Sequence, residues 1–166
     1  MTAPSPVVVM GVSASGKSTV GAALARRLGV PFVDADSLHL PASVATMAAG
    51  EPLDDGDRHP WLERVGEWLA GHRDGGVASC SALKRAYRDR LRARCPPVRF
   101  LHLSGSEAVI SRRLAARTGH FMPATLFRSQ LDALEPLGGG EAGVTVDVGR
   151  DVDAIVDEYL RSGTTG

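Results

Sequence analysis

Val7-Val8-Val9-Met10-Gly11-Val12-Ser13-Ala14-Ser15-Gly16-Lys17-Ser18-Thr19 is the stretch on which the fold turns. With Pro6 before it, the run to Met10 reads as a strand: Val7, Val8 and Val9 show no polar alternation, as in a strand buried on both faces of a parallel sheet. Gly11 to Ser18 matches G-x-x-x-x-G-K-[ST] at every fixed position. Beyond it, Val20, Ala23, Leu24 and Leu28 recur at helical spacing from Lys17 onward, and Gly29 is placed to end that helix. Strand, small-residue turn and helix in this order make an anion cradle. The backbone can aim its N–H groups at a phosphate, and the helix N-terminus adds partial positive charge. Lys17 is then placed to reach the outer phosphates of ATP, and the Ser18 hydroxyl to coordinate Mg²⁺. The whole run from Gly11 through Val12, Ser13, Ala14, Ser15, Gly16, Lys17 and Ser18 to Thr19 is the expected ATP-binding segment.

The next apolar run, Val30 to Asp34, reads as a second strand and ends in the carboxylates Asp34 and Asp36. Ligands of open α/β sheets bind beyond the carboxyl ends of the strands. An acidic pair there suits phosphoryl transfer: Asp34 as a ligand to metal-bound water, Asp36 as the base that receives the proton of an attacking hydroxyl. Turn chemistry alone is the competing explanation. Further along, a helix is expected over Arg58 to Ala70, capped by Asp57 with Pro60 in its first turn. Trp61, Leu62, Val65, Trp68 and Leu69 form its apolar face. Strands are expected at Gly76–Cys80, Val98–Leu103 and Val144–Val148. Helices are expected at Ala82–Arg94, Glu107–Arg117, within Phe121–Leu134, and after an Asp151 cap. This alternation predicts a single α/β domain over residues 1–166 with a largely parallel sheet.

Composition narrows the function classes. The chain has 166 residues with 19 basic and 19 acidic side chains, so net charge gives no drive toward nucleic acid or an anionic membrane. No apolar run approaches the roughly 20 residues that span a bilayer. No secretory leader is legible, which points to the cytoplasm. Cys80 and Cys95 lack metal-ligand spacing and read as reduced thiols. Lys17 and Lys84 are the only lysines, and both fall in candidate site segments.

Longer motifs carry a resemblance. Met10-Gly11-Val12-Ser13, the segment Gly50 to Leu62 (G-E-P-L-D-D-G-D-R-H-P-W-L), Cys80-Ser81-Ala82-Leu83-Lys84-Arg85 with Tyr87-Arg88, Gly119-His120-Phe121-Met122, and Ser129-Gln130 with Leu134-Glu135-Pro136 follow in order over nearly the whole chain. The sequence resembles the gluconokinases among the small P-loop kinases, relatives of shikimate kinase and the nucleoside monophosphate kinases. The resemblance implies a P-loop NTPase fold, with helices on both faces of a five-stranded parallel sheet of order 2-3-1-4-5 and a small lid at about 117–127. It also implies ATP-dependent phosphorylation of gluconate with Mg²⁺, and a homodimer. Ala14 stands where the family usually has glycine, and Ser43 and Thr46 where it has asparagine and lysine.

For an acceptor with one carboxylate and five hydroxyls, a pocket needs a fixed cation and several hydrogen-bonding groups. Arg58 is the first candidate, with surface pairing to Asp54, Asp55 or Asp57 as the alternative. Lys84 and Arg88, at i and i+4 on the expected helix, form the second, unless they belong to a solvated face. Ser81 is a possible cap for that helix. Arg113 and Arg117, at i and i+4 before Gly119-His120, correspond by the resemblance to lid arginines that close over the phosphates, with Arg117 acting in catalysis; an exposed basic helix end is the alternative for either. His39 and His120 are candidates for sugar hydroxyls. Val148-Gly149-Arg150 is by resemblance the adenine-side loop. Shikimate kinase, a monophosphate kinase and a catalytically silent nucleotide-binding regulator are the rival readings. The segment Ser79-Cys80-Ser81-Ala82 lacks the glycine cluster expected of shikimate kinases.

Overall fold

The computed structural model describes residues 5–12, 15–38, 55–116, 124–138 and 140–163; within these, the side chains of 36, 55–59, 114–116, 124–126 and 163 are not described. Five strands, β1 (Val7–Met10), β2 (Phe32–Asp34), β3 (Val77–Ser79), β4 (Arg99–Ser104) and β5 (Gly143–Asp147), pair in parallel in the order β2-β3-β1-β4-β5. The helices are α1 (Lys17–Leu28), α2 (Asp55–Ala70), α3 (Arg85–Arg94), α4 (Glu107–Ala116), α5 (Ala124–Ala133) and α6 (Val152–Gly163), with a 3₁₀ turn over Ala35–Leu38.

β1 is central because it is apolar on both sides, and its alternation divides the core. Val7 and Val9 face a cluster with Val20 and Leu24 of α1, Ile110 of α4 and Val156 of α6. Val8 and Met10 face the opposite cluster, with Trp61 and Leu69 of α2 and Leu91 of α3. The result is a three-layer α/β/α arrangement. The chain leaves β1 toward β2 and β3 on one side and returns to β4 and β5 on the other. The order of the strands therefore reverses beside β1, where ligands of such sheets bind.

α1 runs as expected and stops at Gly29, whose φ of 68° lets the Gly29 and Val30 amides bond back to the Arg26 and Ala25 carbonyls. Asp151 does cap the last helix, its Oδ1 accepting from the Ala154 amide at 2.7 Å. Two helix starts differ from expectation. α2 begins at Asp55, so Asp57 is not its cap and Pro60 lies inside it, removing one hydrogen bond from its early turns. α3 begins at Arg85 rather than Ala82. Ala82 has φ 42°, a left-handed value that a helix cannot include, and Ser81 caps nothing there. The Arg85 amide is met instead by Glu135 Oε1 at 3.2 Å, from beyond α5.

Candidate active site

The turn between β1 and α1 opens at the carboxyl edge of the sheet. Gly16 precedes α1 with φ 95°, a value that favours glycine, and turns the chain into the helix. Gly11 is needed for a close approach. A Cβ there would lie 2.9 Å from the Leu103 carbonyl oxygen and 2.8 Å from Ser15 Oγ. Its amide donates to the Ser81 carbonyl at 3.3 Å, which ties the phosphate turn to the end of β3. Lys17 Nζ donates to the Val12 carbonyl at 3.0 Å, so the ammonium folds over its own loop. Ser15 is buried, its Oγ without a partner among the described residues. Ser13 and Ala14 lie outside the described residues. Thr19 is exposed in the first turn of α1.

Asp34 lies beside the start of α1. Ser18 Oγ donates to Asp34 Oδ2 at 2.8 Å, joining the start of α1 to the end of β2. Two hard oxygen donors side by side next to a phosphate cradle fit Mg²⁺, which binds through one or two protein oxygens, phosphate oxygens and water. Among the described residues, no group of three or more His, Cys, Asp or Glu side chains could hold a metal ion by itself. Asp36 lies in the 3₁₀ turn that follows, and its side chain is outside the description. That turn is fastened from α2: Trp61 Nε1 donates to the Ala35 carbonyl at 2.7 Å and Arg64 Nη1 to the Leu38 carbonyl at 3.3 Å. Trp61 is buried, as its place on the apolar stripe required, but its indole N–H also holds the turn that carries Asp36, which the stripe alone could not reveal.

Arg113 of α4 reaches the same edge. Its Nη2 donates to the Val148 carbonyl at 2.6 Å, and Nη1 approaches the Ser15 carbonyl at 3.5 Å, at the outer limit of hydrogen bonding. The guanidinium thus bridges the phosphate turn and the loop after β5. Arg117, His39 and His120 lie outside the described residues, and Arg58 is in α2 with its side chain undescribed. Lys84 is half-buried at the N-terminal boundary of α3, its ammonium 5.5 Å from the Tyr87 ring centroid.

Arg88 corrects the expectation for the second cation pair. It is fully buried and turned away from solvent. Its Nε and Nη2 take the Glu141 carboxylate at 2.7 and 3.1 Å, and the remaining donors meet the carbonyls of Ala82, Leu83 and Pro136. All five guanidinium N–H groups are thereby engaged, which leaves none for an acceptor molecule. Burial alone would raise the Glu141 carboxyl; the hydrogen bonds from Arg88 and the Gly138 amide outweigh it and bring the pKa down to about 2. Helical spacing could not show this, because Glu141 lies 53 residues away. Nearby His102 of β4 is also buried, with neither ring nitrogen partnered among the described residues. Burial, and then the positive charge of Arg88, hold its pKa below the usual imidazole value.

Known proteins match the chain along most of its length. Residues 7–137 match the family model described as an AAA domain. The chain is similar to the gluconokinase of Gluconobacter oxydans, 46% identical over 95% of this chain and 90% of that protein. It is also similar to the crystal structure of a gluconokinase from Sinorhizobium meliloti, with a TM-score of 0.89, 49% identity and coverage of 97% and 92%. Shikimate kinase from Aquifex aeolicus superposes with a TM-score of 0.61 at 18% identity over 96% of each chain, a likeness of fold alone. A P-loop kinase fold, an edge built from Lys17, Ser18 and Asp34, and relatives of this identity over almost their full length place the chain in the gluconokinase family.

Proposed function

We propose that this protein is a gluconokinase, transferring the γ-phosphoryl group of ATP to a hydroxyl of gluconate to give 6-phosphogluconate and ADP. The observation that carries the chemistry is the Ser18–Asp34 contact of 2.8 Å beside Lys17, at the carboxyl edge of a parallel sheet. The substrate rests on the relatives named gluconokinase. In this reading the Gly11–Thr19 backbone and Lys17 hold the phosphates, and Arg113 and Arg117 close on them. Ser18 and Asp34 hold Mg²⁺, which when bound neutralises charge on the phosphate oxygens. Asp36 orients the acceptor hydroxyl and takes its proton as the new oxygen–phosphorus bond forms and ADP departs with the bond it held. His39, Arg58, Lys84 and His120 bind the acceptor, with Arg58 on its carboxylate. One kinase domain spans 1–166, with a lid at about 117–127 that excludes water as a competing acceptor. The enzyme acts in the cytoplasm in gluconate utilisation, as a homodimer; light scattering on the purified protein tests the last point.

A coupled assay of ADP release over gluconate, other sugar acids, shikimate and nucleoside monophosphates tests the reading. Gluconate is expected to be turned over best, and a preference for shikimate or a nucleotide would overturn the substrate. Lys17→Ala is expected to abolish turnover, a loss of at least about 10²–10³ in kcat. Asp36→Asn is expected to reduce kcat far more than it weakens ATP binding.

A further inference from the structure

Arg88 and Glu141 both have side chains with 0% exposure. A buried ion pair contributes little net stability against a well-packed apolar substitute, and its best-attested use is to select one conformation over others. The conformation within reach of this pair is an unusual one. Ala82 is the single non-glycine residue with positive φ among the described residues, at 42°, and it is wholly buried in the turn that joins β3 to α3. Arg88 Nη1 donates to the carbonyl of that same residue at 2.8 Å and to the next carbonyl, Leu83, at 3.3 Å. The turn touches the site at both ends. Ser81 accepts from the Gly11 amide of the phosphate turn, and Lys84 closes it at the boundary of α3. From the other side the Glu135 amide donates to the Leu83 carbonyl at 2.7 Å. Glu141 is held in register by the Gly138 amide at 2.8 Å and by a second cation, Arg92 Nη1, at 3.0 Å.

We infer that Arg88 and Glu141 are a positioning pair, which clamps the left-handed Ala82 turn in the shape that presents Lys84 and anchors Gly11 of the phosphate loop. The physical reason is that an alanine at positive φ relaxes unless its carbonyl is held. A guanidinium fixed by a carboxylate supplies a rigid fork that can hold two successive carbonyls at once. An ammonium on a lysine stem cannot reproduce that geometry. The effect on the acceptor rests on the function proposed above; the clamp itself does not.

Arg88→Lys and Glu141→Gln test the pair, each alone and combined with Ala82→Gly. Hydrogen exchange needs no substrate. The Gly11 and Glu135 amides, which donate to Ser81 and Leu83, are expected to exchange about tenfold faster in Arg88→Lys, while amides of β1 and β4 stay protected. In kinetics, KM for gluconate is expected to rise about tenfold, and KM for ATP by only about threefold as the Gly11 anchor loosens with the turn. Ala82→Gly is expected to restore part of that loss in the Arg88→Lys background, since glycine adopts positive φ without a clamp. Faster exchange spread evenly over the sheet, or equal changes in both KM values without rescue by glycine, would show a pair that only supports the fold and would overturn the inference. Should neither charge variant fold, Ala82→Gly on the intact pair decides: the clamp predicts KM values within about twofold of wild type, and a large rise in the acceptor KM contradicts it. Absence of gluconate turnover in the wild type would remove the substrate assignment while the exchange result still judged the pair.

Discussion

At the scale of single residues, the phosphate turn is set by what cannot be added to it. Gly11→Ala would force a methyl against the Leu103 carbonyl oxygen and Ser15 Oγ, both under 3 Å away, and the neighbour on β4 is backbone that cannot move aside cheaply. The expected result is a loss of about 1–3 kcal/mol in stability, with weakened ATP binding because the Gly11–Ser81 link shifts. Gly29→Ala is the informative comparison. Its φ of 68° carries the left-handed penalty of about 1–2 kcal/mol, but nothing lies within 4 Å of the added carbon. That variant should lose stability in urea denaturation while keeping wild-type kinetics. Equal kinetic damage in both would contradict the steric account of Gly11.

Elements carry the acidic side of the site. The 3₁₀ turn Ala35–Leu38 is too short to hold its own shape, and α2 lends it rigidity through the Trp61 indole and the Arg64 guanidinium. Trp61→Phe keeps an aromatic ring in the core but leaves the Ala35 carbonyl without its donor, at a cost of about 1–3 kcal/mol. Because Asp36 rides on that turn, kcat should fall about tenfold, equivalent to 1.4 kcal/mol, while ATP affinity changes little. A stability loss with kcat intact would show that the indole serves only the core. The same logic explains the displaced start of α3. Residues 82–84 have the composition of a helix, yet hydrogen bonds from Arg88 and the Glu135 amide to the Ala82 and Leu83 carbonyls outcompete helix propagation there.

At the scale of the molecule, two buried titrating groups among the described residues shape the response to acid. The folded state holds His102 neutral below its ordinary pKa of 6.5, so the unfolded chain takes up that proton first and stability falls as pH drops below 6.5. Glu141, at about 2 against an ordinary 4.5, adds stability that is fully present above pH 4.5 and is lost as pH falls from there toward 2. Acid unfolding should therefore begin on a histidine limb and continue on a carboxylate limb. Urea denaturation between pH 7.5 and pH 5 checks the first: the stability difference between wild type and His102→Leu should shift in favour of the variant as pH falls. A difference that does not change with pH would remove His102 from the account. No helix among the described residues is long and apolar enough to cross a membrane.

Features whose physics is local are legible in the residues alone. An apolar run with no alternation fits an inner strand, and small residues before Lys17-Ser18, between that strand and a helix, fit a phosphate-binding turn. The glycine at position 29 ends a helix, and Asp151 begins one. Those features mark β1, α1, Lys17 and Ser18 in the residues alone, the acidic end of the second apolar run marks Asp34, and the longer motifs mark the family. Tertiary structure alone decided what depends on partners distant along the chain. Spacing put Arg88 beside Lys84 on one helical face, but a carboxylate 53 residues away buried it. The indole of Trp61 is a core ring by pattern and a clamp on Ala35 by contact. Periodicity reports which way a side chain faces along its own element; it carries no information on which carbonyl or carboxylate the fold will bring to meet it.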